Sequence, residues 1–255
     1  MSRSSWTSGD GPAIDVEGLE ASADQPVFGP LDLEVGPGGT LVIVGPAGSG
    51  KTALLLTLTG RMHATGGSGT VLGADVRKDQ AHIRSDSSVA WVDGITDLDK
   101  DYTVEQHVAE RLIGLQPWYR PFVRRADVHQ ALDLAGFSDE LPLRAFASEL
   151  TQLQKFEAEL LLARLDGSAI IALDNIDFLR EPEDRKHAWS LLGRVQESVA
   201  QARPDRPLSI IVTCENDAGF AVPQGREDTV RVHLDEVQRP DPAPAPAPES
   251  RGGRH

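Results

Sequence analysis

Apolar positions follow two rhythms along this chain. Short apolar runs at Ala13–Val16, Leu31–Val35, Leu41–Val44 and Thr70–Leu72, punctuated by Gly and Pro, predict strands. Residues 103–165 switch to helical spacing, most clearly over Val104–Ile113 and Ala126–Ala135. Two unbroken apolar runs follow, Ala169–Leu173 and Leu208–Val212, with a helix predicted over Pro182–Ala202 between them. Unbroken runs alternating with helices predict parallel strands covered on both faces, an α/β fold. The two ends lack either rhythm. Residues 1–12 are polar and Gly/Ser-rich, which predicts a disordered N-terminus, and the Pro/Ala-rich residues 238–255 predict an extended, unfolded tail. No internal repeat is present.

Composition narrows the function classes. A chain of 255 residues holds one large α/β domain or a core with an inserted subdomain. Its net charge of −14 argues against a nucleic-acid partner, because a phosphate backbone is repelled on average. No apolar run approaches the ~20 residues needed to span a bilayer. The first ten residues lack the apolar core of a secretory signal. Cys214 is the only cysteine, so no intrachain disulfide is possible, which suits a reducing cytoplasm. The histidines show no paired metal-ligand spacing.

The strongest chemical signal lies between the run Leu41–Val44 and the Leu-rich helix that follows it. Gly45, Gly50, Lys51 and Thr52 satisfy G-x-x-x-x-G-K-[ST] in a strand-to-helix setting. Gly45, Pro46, Ala47, Gly48, Ser49, Gly50, Lys51, Thr52 and Ala53 are therefore candidate nucleotide-binding residues. Small residues let successive backbone N–H groups turn inward around a phosphate, and the helix N-terminus adds the positive end of its dipole. Lys51 would reach the β- and γ-phosphates, and the Thr52 hydroxyl would ligate Mg²⁺. The strand Ala169–Leu173 ends in Asp174 and resembles a Walker B motif, whose Asp holds the same ion opposite the loop's Thr. ATP and Mg²⁺ are thus the expected ligands.

Over residues 13–237 the chain resembles the nucleotide-binding subunit of ATP-binding-cassette (ABC) transporters. Leu31–Gly39 is similar to the strand and turn before the family's loop, and Ser68–Val76 to its small β-subdomain. Thr103–Val108 is similar to the start of its helical subdomain, and Glu181-Pro-Glu-Asp-Arg185 to the family's Asp-Pro-Glu-x-Arg. The resemblance implies a P-loop NTPase of ABC-ATPase type. It would have a mainly parallel core sheet, a small antiparallel β-subdomain and a helical subdomain inserted at about residues 100–165. It also implies a separately encoded membrane permease as partner, a possible homodimer, and a cytoplasmic site or one peripheral to the inner membrane face.

Several positions depart from the family's pattern. The catalytic Glu after Walker B is replaced by Asn175, and the switch histidine by Cys214. The signature Leu-Ser-Gly-Gly-Gln aligns with Leu150-Thr-Gln-Leu-Gln154, in which Leu153 is expected to obstruct the approach of a second subunit. The Q-loop glutamine falls on Gly94, or on Asp93 with a one-residue slip. No adenine-stacking aromatic lies in Glu17–Asp24, leaving Phe28 or Trp6 as substitutes. No catalytic residue is therefore assigned, and slow or absent hydrolysis is expected. A dimer corollary follows: one chain carries both kinds of defect, so any dimer has both nucleotide sites impaired. The alternative is an ATP-sensing regulatory pseudoenzyme of the same fold with no transport role. An unrelated P-loop enzyme is a third reading, but no Asn-Lys-x-Asp segment is present. The stretch Trp118–Arg125 reads either as a docking face or as subdomain core with basic edges, and the second is the simpler expectation.

Overall fold

The computed structural model describes residues 6–92, 96, 98–117, 119, 122–135, 137, 141–215 and 228–234. In chain order these form β1 (Ile14–Ser22), β2 (Pro26–Val35), β3 (Thr40–Val44), α1 (Lys51–Leu58), β4 (Gly66–Val71), β5 (Ala74–Asp75), α2 (Gln80–Ser85) and β6 (Ser87–Trp91). Then come α3 (Val104–Leu115), α4 (Arg125–Ala135), α5 (Gln152–Leu165), β7 (Ile170–Leu173), α6 (Pro182–Ala202), β8 (Ser209–Cys214) and β9 (Thr229–His233).

Two sheets divide the strands. β6-β7-β8-β3-β9 is wholly parallel, with Val42 opposite Val212 and Leu173 opposite Val212 on the other side. Its three central strands are buried at every position, which is why their sequences run apolar without alternation. The order β2-β1-β4-β5 forms an antiparallel sheet. One apolar cluster, including Leu41, Leu55 and Phe28, fills the space between the sheets around α1. A second, including Val212, Phe156 and Leu192, joins the other face of the parallel sheet to α3, α4, α5 and α6. The α/β architecture with a parallel core, an antiparallel β-subdomain and a helical insertion is thus present.

Sequence periodicity misses three strands, the two-residue β5 and the longer β6 and β9. β9 is an edge strand with alternating, incomplete burial, so it lacks the continuous apolar run that marks β3 and β8. β6 carries Ser87 and Ser88, which break its hydropathy although both are buried. The N-terminal expectation also needs correction over residues 6–12, while residues 1–5 lie outside the described set. Trp6 is only 3% exposed and belongs to the inter-sheet cluster. A 3-10 turn at Ser8–Asp10 follows it, and the Ser8 amide donates to the Asp205 carbonyl at 2.7 Å. Burial of one large indole is enough to order residues that otherwise read as a polar leader. Residues 238–255 lie outside the described set.

Candidate functional site

β3 lies between β8 and β9, and its C-terminal end releases the chain into the phosphate loop. The Gly45 amide donates to the Cys214 carbonyl at 3.1 Å, fixing the loop's origin to the tip of β8. A Cβ at Gly45 would lie 2.4 Å from the Leu234 carbonyl oxygen. At Gly50, where φ is +91°, a Cβ would lie 2.2 Å from the Val27 carbonyl oxygen. The motif's two fixed glycines are therefore demanded by backbone on either side. Gly50 is the N-cap of α1 and offers no side-chain cap, leaving the first-turn amides for an external acceptor.

Lys51 is 8% exposed, and its Nζ donates to the Gly45 and Pro46 carbonyls at 2.7 and 2.8 Å. The ammonium is thus held over the mouth of the loop by two neutral acceptors. Ser49 is 1% exposed and its Oγ has no hydrogen-bond partner among the described residues. A buried orphan hydroxyl in the loop, beside the uncapped N-terminus of α1, fits an anion that supplies the missing acceptor.

The tips of β7 and β8 supply the other wall. Asp174 accepts from Thr52 Oγ1 at 2.7 Å through Oδ2 and from Thr213 Oγ1 at 2.5 Å through Oδ1. The Asn175 amide donates back to Thr213 Oγ1 at 2.7 Å, so this hydroxyl ties together two successive residues of the β7 end. Thr52 and Asp174, paired side by side, offer the hard oxygen donors that Mg²⁺ takes in one or two protein contacts, so the set fits that ion. Asn175 is exposed and adopts left-handed backbone at φ 52°, ψ 62°. Cys214 is fully buried and belongs to the helical-side core cluster.

Sequence reading missed two residues here. Thr213 acts only because the parallel register places it beside Asp174. Asp177, in a 3-10 turn at Ile176–Phe178, accepts the Glu215 amide at 2.6 Å through Oδ2. Burial pushes its carboxyl above the ordinary carboxylate value, and the neighbouring Glu215 charge acts in the same direction. The Glu215 amide bond and the charges of Lys51 and Arg185 oppose that rise. An acid three residues beyond the Walker B Asp was the available signal.

Other candidates fall in different places. Thr151 caps α5 by accepting from the Gln154 amide at 3.2 Å, and Gln154 Oε1 accepts the Thr151 amide at 3.0 Å. Leu153 packs against the helical-side core, which corrects its expected role as the obstruction; Gln152 is the exposed side chain. Phe28 and Trp6 are both buried, so neither presents a ring to a base. Asp93 and Gly94 lie outside the described residues. Tyr119 and Phe122 are 66% and 85% exposed, so they do not form the subdomain core expected of the Trp118–Arg125 stretch. Among the described residues of that stretch, Val123 packs against the core. A cavity of about 490 Å³ opens between β6, α3 and α5, with the buried Glu159 in its wall accepting from Thr96 Oγ1 at 2.9 Å.

Comparison with known proteins agrees with this geometry. The ABC transporter family model matches residues 28–176, more than half of the chain. The cytochrome c biogenesis ATP-binding export protein CcmA of Cupriavidus pinatubonensis is 40% identical over 109 residues, covering 41% of this chain and 47% of CcmA. The Nod factor export ATP-binding protein I of Burkholderia pseudomallei is 29% identical over 188 residues, covering 71% of this chain and 59% of the relative. The chain thus spans about half the length of the curated relatives it matches. The dimeric bacterial ABC transporter cassette MJ0796 superposes with a TM-score of 0.66 at 15% identity, over 89% of this chain and 97% of that one. That likeness concerns the fold.

Proposed function

Because this chain belongs to the ABC transporter family, we propose that it is an ATP-binding subunit serving a separately encoded membrane protein, with slow or absent hydrolysis. The observation that carries the reading is an intact phosphate cradle beside a neutral Asn175. The Gly45–Thr52 amides and the open N-terminus of α1 receive the phosphates. Lys51 exchanges its two carbonyl partners for phosphate oxygens, a swap that keeps the ammonium satisfied in both states. Thr52 and Asp174 hold Mg²⁺, which supplies charge neutralisation to the phosphates when bound. Asn175 can orient a water by hydrogen bonding but cannot accept its proton, and loss of a general base typically costs about 10²–10⁴ in rate. With Cys214 inside the core, no imidazole reaches the terminal phosphate from β8.

Two curated relatives are named as export ATP-binding proteins, which supports a membrane permease as partner. No helix among the described residues is long and apolar enough to cross a membrane, so such a subunit would bind at the inner, cytoplasmic face. In a homodimer of the MJ0796 kind, the capped N-terminus of α5 would meet the second copy's nucleotide, with exposed Gln152 at the contact. A regulatory, non-transport role is the second reading. It is favoured by the coincidence of Asn175, Cys214 and the altered signature on one chain, which impairs both sites of any dimer.

Calorimetric titration with ATP and Mg²⁺, paired with phosphate release, tests the proposal. Wild type should bind ATP and release phosphate near background, and Lys51→Ala should weaken binding substantially. Equal binding by both proteins would remove the loop as the nucleotide site. Brisk hydrolysis abolished by Lys51→Ala would overturn slow turnover. Co-purification with a polytopic membrane protein encoded alongside separates the transport reading from the regulatory one.

A further inference from the structure

The Asp174 carboxylate is gripped from two sides. Oδ2 accepts from Thr52 Oγ1 on α1 at 2.7 Å, and Oδ1 accepts from Thr213 Oγ1 on β8 at 2.5 Å. The Thr213 hydroxyl is itself aimed. Its oxygen accepts the Asn175 amide at 2.7 Å, so its single proton goes to Asp174. Thr213 is fully buried, and the parallel register that sets Leu173 opposite Val212 carries it to the Asp174 end of β7. The hydroxyl is thus a fixed feature of the sheet rather than a surface group free to turn. An ion beside Thr52 meets Oδ2, because Oδ1 is engaged with β8.

We infer that Thr213 is a specificity-determining residue of the ion site: by holding Asp174 to a one-oxygen grip, it selects Mg²⁺ over the larger Ca²⁺ in the nucleotide complex. The inference rests on the proposed nucleotide role of the loop, with Thr52 and Asp174 as the ion's protein donors. The two ions ask different things of a carboxylate. Mg²⁺ takes an octahedron of oxygens at about 2.0–2.1 Å, keeps several of its waters and needs few protein contacts. Ca²⁺ takes about six to eight oxygens at roughly 2.3–2.6 Å and gains from carboxylates that offer both oxygens. For Asp174 to turn both oxygens to an ion beside Thr52, the carboxylate must rotate, and that rotation breaks the Thr213 bond. The loss falls on a charge-assisted hydrogen bond and leaves a buried hydroxyl proton without its acceptor. A larger ion therefore has either an under-filled shell or a broken brace. Mg²⁺ completes its shell with water and phosphate oxygens and leaves the brace intact.

The test titrates the full chain with ATP in saturating Mg²⁺ or saturating Ca²⁺, for wild type, Thr213→Val and Thr213→Ser, at a temperature where circular dichroism shows each to be folded. Each ion's own affinity for ATP is common to the three proteins and cancels in the comparison. Removing the hydrogen-bond partner of a metal-holding side chain typically weakens metal binding about 10–100-fold. Thr213→Val should therefore lose about tenfold in Mg·ATP affinity and at most about twofold in Ca·ATP affinity, so the ratio of the two falls by about fivefold or more. Thr213→Ser keeps the hydroxyl and should keep the wild-type ratio. General loosening of the β7 end would weaken both complexes alike and leave the ratio in place, so the ratio separates ion selection from stability. A ratio unchanged by Thr213→Val, or one that falls equally in Thr213→Ser, overturns the inference. Wild type supplies an arm that needs no variant to fold: Mg·ATP should bind more tightly than Ca·ATP. Equal affinities there would overturn the inference while leaving nucleotide binding intact. Failure of wild type to bind ATP with either ion removes the proposed function and the inference with it.

Discussion

Thr213→Val is the most direct probe of how the β7 end is held. The change is nearly isosteric at a fully buried position, so it removes one hydroxyl and little volume. Two hydrogen bonds go with it, the 2.5 Å donation to Asp174 and the 2.7 Å acceptance from the Asn175 amide. The first involves a carboxylate and is worth about 1.5–3 kcal/mol, and the second about 1 kcal/mol as a neutral pair. Asp174 is only partly buried, so water recovers some of the first term. A net cost of about 2–3 kcal/mol remains. Urea unfolding should show this as a lowered midpoint at unchanged slope. Thr213→Ser keeps the hydroxyl and loses only a buried methyl group, for about 1 kcal/mol. Equal losses for Val and Ser, or a Val variant as stable as wild type, would refute the hydroxyl's role. ATP affinity supplies a second readout, because freeing Asp174 Oδ1 loosens the carboxylate that also meets Thr52.

Three further outcomes are expected. Gly50→Ala should cost about 3 kcal/mol from left-handed strain plus the clash with Val27 and should abolish nucleotide binding, whereas Gly48→Ala, with open space around it, should cost only about 1 kcal/mol by thermal unfolding. Cys214→His should destabilise by about 2–4 kcal/mol without raising phosphate release, because the larger polar ring enters the core rather than the site; unchanged stability would contradict that placement. Ionising Asp177 costs the folded state more than the unfolded one, so its contribution is fully present below the unfolded pKa and lost as pH rises through the folded value. Asp177→Asn cannot ionise, so its thermal midpoint should gain on that of wild type between pH about 4 and 7, and a constant difference would refute the raised carboxyl.

Legibility in the sequence tracks how local each determinant is. The phosphate loop was readable because Gly45, Gly50, Lys51 and Thr52 act within one turn, and its glycines are forced by backbone that any such loop meets. β3, β7 and β8 were readable because burial on both faces leaves unbroken apolar runs. Thr213 was not, because its hydroxyl matters only through the register that sets Leu173 opposite Val212. Leu153 misled for a related reason: alignment gives its place in the signature but not the side of α5 on which it packs. Trp6 was lost inside a polar leader, since a single large side chain does not alter the pattern around it. Tyr119 and Phe122 were read by composition as core, although exposure depends on what the neighbouring helices leave uncovered.

Phosphate binding and turnover are separable in this architecture because they draw on different kinds of structure. The cradle is built from the backbone of contiguous residues, and its two forced glycines, orphan Ser49 hydroxyl and doubly held Lys51 all lie within Gly45–Thr52. In the proposed reading turnover would depend on side chains at the ends of β7 and β8, which reach the loop only through tertiary packing. Left-handed backbone at position 175 suits an asparagine, one of the few residues that tolerate it, while most others carry about 1–2 kcal/mol of strain there. The β7 end is also braced by Thr213 through Asp174 and the Asn175 amide, neither of which needs a carboxylate at 175. Cys214 is buried as part of the helical-side core. The side chains at these two positions therefore answer to backbone conformation and packing, so the proposed loss of turnover leaves the ligand-holding half of the site mechanically intact.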